Sequence, residues 1–134
     1  MNIRKAKDDE ITLIAEMTRQ LFEDEPSDME LSNLQFEDRL RKHMDAGCHA
    51  FLFIKGSIIG YALVNLAREP YYLIDFFICR DSRRGGNGTA AFHSLINELN
   101  TECIDLDVFC WNNRGQKFWE SLGFKERAII MRRQ

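Results

Sequence analysis

The stretch RDSRRGGNGTAAF, residues 80–92, decides how this chain is read. An apolar run, LIDFFI (73–78), precedes it. Phe92, Leu95, Ile96 and Leu99 follow at helical spacing. A glycine-rich turn between strand and helix presents backbone N–H groups at a helix N-terminus. Those oriented donors and the helix dipole favour a phosphate. Gly85, Gly86 and Gly88 permit the tight turn, and Arg83 and Arg84 add charge-assisted donors at its mouth. The plainer reading is a turn of solvated arginines; the strand-to-helix context favours phosphate.

Working outward, NIRKA (2–6) reads as a first strand, with Asp8 or Asp9 able to cap the helix after it. Ile11, Ile14, Met17 and Leu21 lie on one face of that helix. FEDEPSDME (22–30) is an acidic loop broken at Pro26 and Ser27. Phe36, Leu40 and Met44 mark a second helix, stopped at Gly47. From His49 the period changes to that of strands. HAFLFIK, the KGS turn (55–57), IIGYALVNL and YLIDFFICR form an antiparallel meander. After the glycine loop and its helix, CIDLDVFCW (103–111) is a strand reached by a crossover, hence parallel to the one before it. NRGQKFWESL is a short helix with an Asn113–Gln116 capping box and Gly123 as its stop. AIIMR (128–132) is a last strand. The predicted fold is α/β: one mixed, mostly antiparallel sheet flanked by helices, in the order βααβββαβαβ.

The length of 134 residues suits a single domain spanning 1–134. Apolar residues at 45% and charged ones at 29% are ordinary for a soluble domain, and no apolar run approaches the ~20 residues of a membrane span. The first ten residues lack the apolar core of a secretory signal, so the expected location is cytoplasmic. Cys48, Cys79, Cys103 and Cys110 are scattered, which fits free thiols and gives no metal spacing. A net charge of −3 argues against nucleic acid as the main partner. His43, His49 and His93 have no convincing partner in the sequence.

Three phosphate ligands compete for the loop. GNGTAA (86–91) matches the dinucleotide pattern G-x-G-x-x-A, with Asp105 or Asp107 about 20 positions on. That fingerprint belongs near a first strand, whereas three antiparallel strands precede it here. A triphosphate loop needs a lysine that the segment lacks. The third reading is R-x-x-G-x-G through Arg83, Gly86 and Gly88 after an apolar strand. This resembles the pyrophosphate loop of the GNAT superfamily of acetyl-CoA-dependent N-acyltransferases. NNRGQKFWESLGF (112–124) is similar to that family's second signature, N-x-x-A-x-x-[FL]-Y-x-x-x-G-F, through Asn112, Gly115, Phe118, Leu122, Gly123 and Phe124. The element order agrees as well, so the resemblance spans nearly the whole chain.

The resemblance implies an acetyl-CoA co-substrate whose pantetheine arm pairs with a splayed strand at Phe77, Ile78 and Cys79. An N–H there polarises the thioester. It also implies a pyrophosphate held by Arg83 and by the backbone of Arg84, Gly85, Gly86, Asn87, Gly88 and Thr89, with Asn112 beside the arm. The reaction is then direct attack of a primary amine, of a small molecule or a peptide, with no acyl-enzyme.

A free amine has a pKa of about 10, so a base is needed. Asp75, interrupting the apolar strand, is the candidate; hydrogen bonding within the fold is the competing reading. The family's thiolate-protonating tyrosine is Trp119 here, and an indole cannot give up its proton. Trp119 reads as wall rather than acid; water, Cys110 or Tyr61 could take the role. Glu23, Asp24, Glu25, Asp28 and Glu30 could attract a cationic acceptor such as a polyamine, an aminoglycoside or a basic peptide, or be a solvated acidic loop. Tyr71 and Tyr72 could wall the acceptor pocket. Homodimerisation is left open. The alternative function is a non-catalytic acyl-CoA-binding or regulatory module.

Overall fold

The computed structural model describes residues 1–25 and 30–134. Its elements are β1 (Asn2–Lys5), α1 (Ile11–Asp24), α2 (Asn33–Asp45), β2 (Cys48–Lys55), β3 (Ser57–Asn65), β4 (Tyr71–Ile78), α3 (Asn87–Leu99), β5 (Ile104–Asp105) and α4 (Asn113–Ser121). The five strands form one sheet in chain order, β1-β2-β3-β4-β5. The first three pairings are antiparallel and β4–β5 is parallel, as a helical crossover demands.

Strand alternation feeds two cores. Ala50, Leu52, Tyr61, Leu63 and Phe77 point to one face, where Ile14, Met17 and Leu21 of α1 and Leu40 of α2 meet them. Phe51, Phe53, Ala62, Val64 and Ile78 point to the other, against Ala91, Phe92 and Leu95 of α3. Each large side chain so buried stabilises the fold by roughly 1.5–3 kcal/mol before entropy is counted. Strand β3 runs through the middle, and Tyr61 to Val64 are 0% exposed. An added Cβ at Gly60 would stand 2.1 Å from the Phe77 carbonyl oxygen, so no larger residue fits that crossing of β3 and β4.

Strand β4 carries a bulge. Leu63 faces Asp75 but Val64 faces Leu73, so Ile74 is an extra residue. The bulge turns Ile74 and Asp75 to the same face, toward α1 and α2. The carboxylate therefore lands in the core rather than among the exposed positions.

The ends of elements differ from expectation in five places. A single 3-10 turn, Asp8–Glu10, precedes α1, and neither Asp8 nor Asp9 caps the helix. Glu10 instead accepts from the Lys7 N–H at 2.8 Å and binds Arg4 through both oxygens, tying β1 to the helix entry. Asn112, not Asn113, caps α4, its side chain accepting from the Gly115 N–H at 2.9 Å. The strand expected over 103–111 is only Ile104–Asp105. AIIMR forms no strand; Ile129, Ile130 and Met131 are 79%, 84% and 88% exposed. A strand needs a neighbour's ladder, and the β5 ladder has already stopped at Asp105. Of the acidic segment 22–30, Phe22 to Asp24 complete α1, while Pro26, Ser27, Asp28 and Met29 lie outside the described residues.

Candidate active site

The short β5 makes a cleft. It pairs with β4 only at Tyr71↔Ile104 and Tyr72↔Asp105. From Leu73 onward, that edge of β4 has no strand partner among the described residues. Backbone groups alternate along a strand, so half of them face the opening. The Cys79 N–H donates to the Ile59 carbonyl at 2.7 Å, toward β3. The Phe77 carbonyl faces Gly60 on the same side. Of the three residues expected to meet a pantetheine arm, Ile78 is therefore the one that turns its backbone to the cleft; Phe76 is the next in register. Phe77 and Cys79 are committed to the sheet. The Ile78 carbonyl already accepts from Arg83 Nε at 2.8 Å.

At the end of β4, Arg80–Ser82 make one 3-10 turn, and Arg84, Gly85 and Gly86 follow with φ of 66°, 101° and 85°. Three successive left-handed residues reverse the chain into α3, which is why two of them are glycine. The first intrahelical bond is Ala90 N–H to the Gly86 carbonyl. The N–H groups of Asn87, Gly88 and Thr89 thus form the open first turn. The Asn87 side chain closes the loop, donating to the Ser82 carbonyl at 2.8 Å and accepting from Lys55 at 3.0 Å. An added Cβ at Gly88 would come within 3.2 Å of the Phe118 ring, so this turn packs directly on α4.

The arginines are placed differently than expected. Arg83 donates to Asp24 at 2.6 Å and lies over the Phe77 ring, and Arg80 grips the same carboxylate at 2.8 Å. Burial opposes ionisation of Asp24, but the two guanidiniums hold it below its ordinary value. The glycine loop is thereby tied to the C-terminal end of α1. Arg84 is exposed, with no partner among the described residues. Arg80 was not singled out from sequence; the available signal was the complementarity of RDSRR and the EDE at 23–25.

Asp75, expected as the proton acceptor, is 5% exposed and engaged on both oxygens. Arg39 of α2 donates to them at 2.8 and 2.9 Å, and the Tyr61 hydroxyl donates to one at 3.0 Å. The Tyr61 hydroxyl also lies 2.7 Å from the Thr18 hydroxyl. Burial first, then the Asp75 charge, pushes the Tyr61 phenol well above its ordinary value. Tyr61 is 0% exposed, which removes it as a proton donor to a thiolate in the cleft. These contacts favour the reading of Asp75 as a hydrogen-bonding group within the fold, with side chains rather than backbone as its partners.

Helix α4 supplies the opposite wall. Gly115 stands where the family signature has alanine, and an added Cβ would be 2.4 Å from the Asn112 amide nitrogen. Trp119 sits edge-on among Phe76, Phe92, Phe118 and Phe124, with centroids 4.8–5.7 Å away. It is part of the core beneath α4. Cys110 is exposed in the turn before Asn112, its carbonyl accepting from Gln116 at 3.0 Å.

Glu25 caps the C-terminal end of α1. Its N–H donates to the Leu21 carbonyl at 2.9 Å. Desolvation raises the Glu25 carboxyl above its ordinary value; the charges of Asp75 and then Asp24 add to the rise, while Arg83 and Asn112 oppose it. Sequence reading saw Glu25 only as one acid of a charged run.

A family model described as the acetyltransferase (GNAT) family matches residues 12–124. Among solved structures, a mutant of the BH1408 protein from Bacillus halodurans is 21% identical, with a TM-score of 0.76 over 100% of this chain and 99% of its own. A possible acetyltransferase from Clostridium difficile is 16% identical, with a TM-score of 0.77 over 99% and 95% of the two chains. A Clostridium acetobutylicum protein described as a predicted acetyltransferase with acetyl-CoA is 17% identical, with a TM-score of 0.75 over 99% and 95%. At these identities the likeness is one of fold. No curated protein sequence matches this chain significantly.

Proposed function

The chain belongs to the acetyltransferase (GNAT) family, and we propose that it moves an acetyl group from acetyl-CoA to a primary amine of a small molecule or peptide. The observation that carries this reading is the cleft: β4 loses its β5 partner after Tyr72, and the glycine loop with the open first turn of α3 stands at its far end. A pyrophosphate would accept from the N–H groups of Arg84 to Thr89, with Arg84 the guanidinium free to meet it. The pantetheine arm would run back along β4, adding to the edge at Ile78 and then Phe76. That course brings the thioester beside the bulge at Ile74, where the Phe76 N–H would polarise its carbonyl.

On this reading Asn112 lines the arm from the α4 side, and its bond to the Gly115 N–H fixes its amide. Asp75 acts as a positioning group, holding the bulge against α2 through Arg39. Trp119 shapes the cleft floor through its ring contacts, and water is the thiolate's proton source. Cys110 keeps only a candidate's place, since its thiol is exposed on the turn.

Thiol release from acetyl-CoA, measured over polyamines, aminoglycosides and lysine-bearing peptides, tests the proposal. Amine-dependent release supports it. Intact CoA binding with no turnover on any amine would point to the non-catalytic acyl-CoA-binding module.

A further inference from the structure

Ile129, Ile130 and Met131 are three consecutive large apolar side chains with 79%, 84% and 88% exposure. They belong to the segment 125–134, which is exposed throughout. The segment starts from a fixed point. Phe124 packs on Phe92 and Trp119 with ring centroids at 5.5 and 5.4 Å, and its N–H donates to the Trp119 carbonyl at 3.1 Å. Beyond that anchor the chain has the composition of a strand, and its own β5 gives it no ladder.

The sheet carries the matching defect. β5 is its last strand, and the edge of β5 away from β4 has no partner among the described residues. The residues that continue β5 keep a strand's alternation: Leu106 and Val108 are half-buried, Asp107 and Phe109 exposed. Leu106 joins Ile104 in the α3-side core. Phe109 stacks on Trp111 with centroids 4.6 Å apart, and the two rings are 41% and 58% exposed. An open edge beside exposed apolar rings is a template for another strand. Its charges complement the segment's. Glu102, Asp105 and Asp107 lie along 102–107, whereas 125–134 carries Lys125, Arg127, Arg132 and Arg133 against Glu126 alone.

We propose that these two features meet across two copies of this chain. Residues 128–133 of one copy add as an antiparallel strand to residues 105–110 of the other, and the second copy does the same to the first. The exchange closes under a twofold axis, so it gives a dimer and not a fibre. Side-chain parity and charge select the register. Ile130 faces Val108 on the side of the α3 core. Ile129 faces Phe109 on the other side, and Arg133 faces Asp105 with Asp107 on its diagonal. The three exposed apolar residues and the Phe109 ring are then covered together. The proposal goes beyond the acetyl-transfer reading and does not depend on it.

The test uses the full chain. Sedimentation equilibrium should give twice the chain's mass for the parent. Ile130→Asp sets a charge against Val108, and Ile130 is exposed in the single chain. The variant should therefore keep its circular dichroism while the dimer weakens by about tenfold or more. Ala128→Cys faces the native, exposed Cys110 in this register. With oxidised glutathione it should link two chains on a non-reducing gel, and adding Cys110→Ser should abolish the link. A monomeric parent, a dimer unmoved by Ile130→Asp, or a link that fails to form or survives Cys110→Ser would overturn the proposal. So would a link closed within one chain, which would mean that the segment folds back on its own β5.

Discussion

Arg39 meets Asp75 in a two-point ion pair, at 2.8 and 2.9 Å, that ties the middle of α2 to the bulge of β4. The carboxylate is 4% exposed at its side chain and the guanidinium 18%. Removing the cation strands a buried anion, which costs about 3–5 kcal/mol in comparable pairs. Arg39→Met should therefore lower stability by that order, read from the urea midpoint. Arg39→Met combined with Asp75→Asn should recover part of the loss. Equal losses in the single and double variants would show that the pair is not what stabilises the site.

Gly86 tests the phosphate loop. Its φ of 85° is strained for any side chain, though nothing within 4 Å would obstruct a Cβ. Gly86→Val should stay folded by circular dichroism, having lost about 1–2 kcal/mol to backbone strain. It should bind CoA at least tenfold more weakly by calorimetry. Unchanged affinity would remove the loop from the cofactor site.

Asp24 competes with phosphate for Arg80 and Arg83. Asp24→Asn releases both guanidiniums and removes a negative charge beside the loop. CoA affinity is expected to rise by roughly two- to tenfold at low ionic strength, with the gain fading as salt screens it. Weaker binding at low salt would mean that Asp24 positions Arg83 rather than competing for it.

Trp119 contacts four aromatic rings, so its response should come through packing. Trp119→Ala should cost roughly 3 kcal/mol. Trp119→Phe keeps the rings in contact and should leave kcat within about threefold, because the indole N–H has no part in the chemistry. A much larger fall in kcat with unchanged stability would return Trp119 to the reacting sulfur.

Glu10 sets one part of the acid limb. Its bonds to Arg4, and then to the Lys7 N–H, lower its carboxyl to about 2. The folded value lies below the unfolded one, so the contribution is fully present above the ordinary glutamate range. It is lost as pH falls from about 4.5 toward 2. Glu10→Gln should flatten the stability curve within that window and leave its slope near neutral pH unchanged, as measured by thermal unfolding at stepped pH.

Much of this protein was legible in one dimension. The short continuous apolar runs in HAFLFIK and IIGYALVNL specify strands covered on both faces, because alternate side chains must meet opposite cores. The spacing of Ile11, Ile14, Met17 and Leu21 specifies a helix face for the same kind of reason. The glycine loop before α3 was readable because left-handed backbone favours glycine, and the strand–helix order around it identified the family.

What tertiary structure alone decided were the pairings between distant charges. Asp75 looks like a base in the sequence; only the bulge at Ile74 and the arrival of Arg39, 36 residues away, make it a buried ion-pair partner. Arg83, read in the sequence as a phosphate ligand, meets Asp24, 59 residues away, only in the folded chain. Strand content at the C-terminal end was likewise undecidable locally, since AIIMR has the composition of a strand and β5 offers it no ladder. Periodicity is a local property and survives in sequence. The protonation, pairing and reach of a side chain depend on neighbours that only the folded chain supplies, and so Asp24, one acid among five in a charged run, becomes distinct only where Arg80 and Arg83 meet it.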